Sequence, residues 1–302
     1  MAAFAVVAGV GNGVFHPVDY TLLNRKVSAP RLGHAYSFHG ITGSLGWALA
    51  PALLVPLAIA FSWRVALAAA GAGAGGWLLV LWRRRSRPDR RRAAPPPAGA
   101  ARAADATFDF LRIPAVWMCF AFFFVYAVVL SVIQAFAPEA ARQLHGVPVG
   151  LVAACLTIYM VCSAGGMLVG GFLASDPARC ERVVAVGSGM AAVVTLAVGV
   201  APVPARAIPA LFGAMGYASG IAGPSRDLLV KRSTPENASG RVFGIVYSGL
   251  DIGQAAARLG FGSLMDRGHY TGGWLGLVAM QALLIASAFN VRRARRGVLA
   301  PA

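Results

Sequence analysis

Charge is what this chain has least of. Of 302 residues only 13% are charged and only 11 are acidic, against the ~25% of a soluble domain. So few ionic groups cannot cover a soluble surface of this size. The 58% apolar content and a mean hydropathy of +0.66 exclude disorder as well. Lysine is nearly missing: Lys26 and Lys231 stand alone among 27 basic residues, a bias expected of a bacterial source rich in GC. Cysteine is scarce too. Cys119, Cys155 and Cys162 fall in apolar runs and Cys180 in a polar gap; with no metal spacing or disulfide framework they read as reduced packing thiols. There is no Walker-type glycine loop, no Ser/His/Asp arrangement and no cluster with metal-ligand spacing, so ATP drive, enzymatic chemistry, a cofactor and a metal are not expected. Met1 opens directly on apolar sequence without a basic n-region, which does not read as a signal peptide.

What the chain has is long apolar runs. A hydrocarbon core of ~30 Å needs about 20 apolar residues per helix, and nine stretches qualify: 1–23, 35–61, 63–82, 114–137, 148–174, 183–201, 205–225, 241–265 and 272–291. Glycine and proline inside them, as in Gly71-Ala-Gly-Ala-Gly-Gly76, are tolerated in membrane helices, where small residues allow close packing. No alternation of the barrel kind appears. The expected fold is all-α, a polytopic membrane protein of nine transmembrane helices.

The basic residues punctuate the gaps instead of clustering on one face, so they report topology and not a nucleic-acid partner. Alternate gaps hold Arg25, Lys26 and Arg31; the run from Arg83 to Arg112; Arg179 and Arg182; Lys231, Arg232 and Arg241; and the tail from Arg292 to Arg296. The intervening gaps hold only Arg64, Arg142, Arg206 and Arg267. This bias places the tail in the cytoplasm. Residues 83–113, with Pro95-Pro-Pro97 and many arginines, read as a basic cytoplasmic linker beside anionic headgroups. The chain divides into three spans (1–82), the linker, and six spans with a tail (114–302).

A gapless self-alignment pairs Gly9 with Gly216, Gly13 with Gly220, Pro17 with Pro224, Arg25 with Arg232, Gly33 with Gly240 and Gly46 with Gly253. Both copies carry Gly-x-x-x-Gly on the first helix and then a basic loop. A parallel repeat of this kind marks two transporter halves related by an axis along the membrane normal. The chain at this point resembles the major facilitator superfamily. Gly13-Val-Phe-His16-Pro17-Val-Asp19-Tyr20 resembles the end of the fourth helix in fosmidomycin-resistance-like and related members. Gly171-Phe-Leu-Ala-Ser-Asp176 resembles the loop motif between helices eight and nine, and Gly46-Trp-Ala-Leu-Ala50-Pro51 part of the fifth-helix motif of antiporters, with Ala50 in place of glycine. The resemblance maps the spans onto helices four to twelve, with the first three helices lacking.

A charge at the bilayer centre costs ~2.5–3.5 kcal/mol on insertion scales and is a functional candidate by default. Asp251, Gln254 and Arg258 share one helical face by their spacing. This stripe reads either as a lining of the translocation path, with Asp251 as proton site and Arg258 receiving an anionic group, or as a structural pair with other helices. The resemblance implies that Asp19 pairs with a basic loop residue of a cytoplasmic gate, and that Arg226 and Asp227 contact the loop of Asp176 in the same way. It also implies that Tyr126 and Gln134 lie on a cavity-lining helix. His16 and His39 titrate near neutral pH or pack at helix ends; Tyr159 and Tyr247 face cavity or lipid. The expected function is secondary transport of a small organic solute by alternating access in a bacterial cytoplasmic membrane. Protons are the expected coupling ion, and the chain is expected to work as a monomer. The competing readings are a non-transporting truncated fragment and a nine-helix membrane scaffold.

Overall fold

A computed structural model of the chain describes residues 2–84, 109–176, 179–233 and 239–299. Among the described residues there are ten α-helices and no strand: α1 Ala2–Lys26, α2 Leu32–Ala60, α3 Trp63–Arg83, α4 Pro114–Ala135, α5 Ala137–His145, α6 Val149–Leu173, α7 Cys180–Val200, α8 Ile208–Ser233, α9 Ser239–Asp266 and α10 Tyr270–Leu299. The nine long helices overlie the nine predicted runs. Six of them (α2, α3, α4, α6, α7 and α10) are long and apolar enough to cross a membrane. Helices α1, α8 and α9 match them in length but carry more polar residues. Most of the expected linker, residues 85–108, lies outside the described residues.

Close packing follows the small residues. Helices α6 and α8 run along each other, and each presents a Gly-x-x-x-Gly face: Gly166 and Gly170 on one, Gly216 and Gly220 on the other. A Cβ added at any of these four would run into the backbone of the opposite helix. Gly249 and Gly253 let α9 approach α4 in the same way. The repeat-equivalent Gly9, Gly13 and Gly46 have open space where a Cβ would stand. Helices α1 and α2 reach the rest through α1–α9, α2–α6 and α2–α8 contacts, while α3 touches chiefly α2. The side chains of α3 face outward almost throughout, as expected where the surroundings are apolar.

Two differences from expectation have clear causes. Helix α8 does not end near residue 225; it continues through Pro224, so that Arg226 and Asp227 sit inside the helix with their charges satisfied against each other. Helix α5 was not anticipated because nine residues are too few for a span. Pro138 starts it and Gly146 ends it at φ +64°, the left-handed cap that glycine adopts freely. Its Ala137, Pro138, Ala140 and Ala141 are buried, while Glu139 and Arg142 turn outward. The Arg142 guanidinium forks onto Glu139 at 2.6–3.0 Å and Gln143 adds a bond of 2.7 Å. These bonds hold the Glu139 carboxyl below its ordinary value.

Candidate functional site

Helices α2, α4, α6, α7, α8 and α10 line internal space in which a few polar side chains stand among apolar ones. Two adjoining cavities share a wall made by Tyr126, Leu130, Tyr159, Ser219, Gly223 and Arg226. The small residues Ser219 and Gly223 on α8 leave the room; a larger side chain there would close it. Gln134, Ser163 and Ser44 line the second cavity, and Ser188 and Gln281 the first. Gln281 is 1% exposed, and neither its amide nitrogen nor its amide oxygen has a hydrogen-bond partner among the described residues.

The charge in this wall is Arg226. Its guanidinium lies 4.0 Å from the centroid of the Tyr126 ring and 5.5 Å from that of Phe123, within cation–π range. Its Nε donates to Asp227 Oδ1 at 3.0 Å. Asp227 Oδ2 accepts from the Tyr20 hydroxyl at 2.9 Å across a sequence separation of 207 residues. That separation is the register of the internal repeat, so Tyr20 and Asp227 are equivalent positions in the two copies and meet each other. Equivalent residues touch only near the axis that relates the copies.

The structure thus brings Tyr126, Gln134 and Arg226 together and adds Tyr159, which takes the cavity side of its two readings. Residues 1–258 match the family model of the Major Facilitator Superfamily. The chain belongs to that superfamily. No curated protein sequence matches the chain. As a major facilitator it is a membrane transporter embedded in the bilayer, with a small-molecule substrate.

The other candidate residues of this major facilitator fall in three places. Asp251 and Gln254 line a groove between α1 and α9, together with Asn12 and His16. Arg258, two turns beyond Asp251, is exposed like Asp251 and is not in the wall of that groove. Asp176 pairs with Arg179 at 2.8 Å at the surface, and no ion pair joins it to Arg226 among the described residues. Asp19 finds partners within the chain: Oδ2 stands 3.1 Å from His39 Nε2 and 3.7 Å from His16 Nδ1. Sequence spacing concealed this trio because His39 belongs to another helix. Tyr247 packs against His16, Tyr20 and Phe123. Cys180, expected in a loop, is the first residue of α7 and fully buried.

Proposed function

We propose that the chain is a secondary transporter of a small organic solute, driven by protons through alternating access, and that the solute binds in the cavity of Tyr126, Gln134 and Arg226. The observation that supports this best is a buried guanidinium stacked on Tyr126 in a cavity shared by helices of both repeat copies. The internal Arg226–Asp227 pair suits coupling. A proton on Asp227 removes the counter-charge and frees Arg226 for an anionic group on the solute; loss of the proton restores the pair and expels it. Asp251, with polar neighbours in the separate α1–α9 groove, is a second protonation site in this reading. On the repeat register, α1–α3 are read as helices four to six and α4–α10 as the second half, with the tail in the cytoplasm of a bacterial cell and a monomer as the working unit. Asp19 and Asp176 remain gate residues in this reading.

The test is flux into proteoliposomes holding the purified full chain, with an imposed proton gradient and a panel of labelled organic acids, amines, sugars and antimicrobials. Accumulation of one class, abolished by a protonophore and lost in Arg226→Lys, is expected, since lysine keeps charge but not the guanidinium fork. Accumulation of that class with unaltered affinity in Arg226→Lys would remove the residue from the site. No gradient-dependent flux of any solute by the well-folded chain would favour the non-transporting readings.

A further inference from the structure

We propose that His16, Asp19 and His39 form a binding site for a divalent transition-metal ion of the Zn²⁺ class at the contact of α1 with α2. One ligand atom from each residue falls within 4.8 Å of the others. Asp19 divides its oxygens: Oδ1 accepts the Tyr20 backbone N–H at 2.6 Å, which leaves Oδ2 as the atom turned to both imidazoles, 3.1 Å from His39 Nε2 and 3.7 Å from His16 Nδ1. Metal bonds of ~2.0–2.2 Å in tetrahedral array put neighbouring ligand atoms about 3.3–3.6 Å apart, so the two carboxylate–imidazole separations lie within a few tenths of an ångström of the requirement, and the imidazole–imidazole one, within 4.8 Å, closes as an ion draws the rings in.

The same atoms are poorly arranged for each other. Asp19 Oδ2 and His16 Nδ1 are both buried and neither makes an aligned hydrogen bond. Two imidazole nitrogens converging on one carboxylate oxygen, without hydrogen-bond geometry, is what a shared central ion would leave. The rings are held in place from behind. His16 stacks on Tyr247 at 5.4 Å and 24°, His39 meets Tyr20 edge-on at 5.2 Å, and the two imidazoles stand at 85° to one another. Two nitrogens and one oxygen select zinc, cobalt, nickel or copper over calcium and magnesium, which take oxygen ligands. His16 also borders the α1–α9 groove, from which a water or solute group would supply the fourth ligand. Because Asp19 precedes Tyr20, whose hydroxyl donates to Asp227, an ion here would staple α1 to α2 next to the buried charge pair.

The experiment uses the untagged full chain in nanodiscs, stripped with chelator and titrated with Zn²⁺ against a chromophoric competitor, then with Co²⁺ by absorbance. One equivalent per chain and the intense visible bands of tetrahedral Co²⁺ are expected. Asp19→Asn and His16→Ala should each weaken binding at least about tenfold, while His269→Ala leaves it unchanged. His39→Cys guards against a variant that merely misfolds, since a thiolate retains ligation and adds a sulfur-to-cobalt charge-transfer band. Equal Zn²⁺ affinity in His16→Ala and the parent chain would overturn the proposal. So would a His39→Cys protein that binds Co²⁺ without the new band, or loss of the equivalent in His269→Ala instead. None of these readouts depends on transport.

Discussion

Arg226 and Asp227 are neighbours in sequence, and adjacent positions on a helix normally point apart. The long arginine side chain reaches back to the carboxylate, and the two are 13% and 3% exposed, so each is largely withdrawn from bulk solvent. Removing one partner strands the other. Arg226→Ala should therefore lower the stability of the detergent-solubilised chain by about 3–5 kcal/mol, and replacing both residues with leucine should cost far less. Thermal unfolding of the two variants decides it; a double variant no better than the single one would mean that the pair is not self-contained. Tyr20→Phe removes one hydrogen bond to a charged acceptor, a loss of roughly 1.5–3 kcal/mol in the same assay. The effect should shrink when Asp227 is already absent, since the hydroxyl then has no carboxylate to serve.

At the level of elements, the two copies of the repeat use the same small-residue pattern differently. Gly220 lies against the backbone of α6, while its counterpart Gly13 has no atom within 4 Å of where a Cβ would be. Gly220→Ala must push α6 and α8 apart and should cost about 1–3 kcal/mol. Gly13→Ala should leave stability unchanged or slightly raised, because alanine is the better helix former. Equal losses at the two sites would show that the α1 face is packed after all. Helix α5 makes a separate prediction in pH. Its Glu139 carboxyl is held below the ordinary value of 4.5 by Arg142 and Gln143, so the protonated form is disfavoured in the folded helix. The stabilisation is complete above the ordinary value and is lost as pH falls through the depressed one. Amide exchange in α5, corrected for its intrinsic rate, should lose protection only on the acid side of that value, and Glu139→Gln should flatten the profile.

For the whole molecule, the legible part was whatever depends on runs. Nine apolar stretches of sufficient length became nine long helices, and the glycine spacing of the second copy became the α6–α8 contact. What sequence could not supply was the rotation of each helix about its axis. Tyr126, Gln134 and Arg226 meet because α4 and α8 turn those faces inward, and His39 reaches Asp19 because α2 crosses α1 at that height. Asp251 and Arg258 share a face by count, yet a groove that is only part of a helix long includes one and not the other. Helix α5 shows a further limit, since a nine-residue amphipathic turn leaves no apolar run to detect. The topology that the arginine bias implies is testable on the same geometry. Cys180 is fully buried, so the native thiol should stay silent to polar maleimides from either side, which makes it a usable background. Arg179, immediately before it, is 69% exposed, and Arg206 is exposed at the other end of α7. Helix α7 is 21 residues long, about 31 Å at 1.5 Å per residue, so the two positions lie on opposite sides of a bilayer. In spheroplasts, Arg206→Cys should label with an impermeant maleimide at once, and Arg179→Cys only after permeabilisation. The reverse pattern would place the basic loops outside and with them the α10 tail.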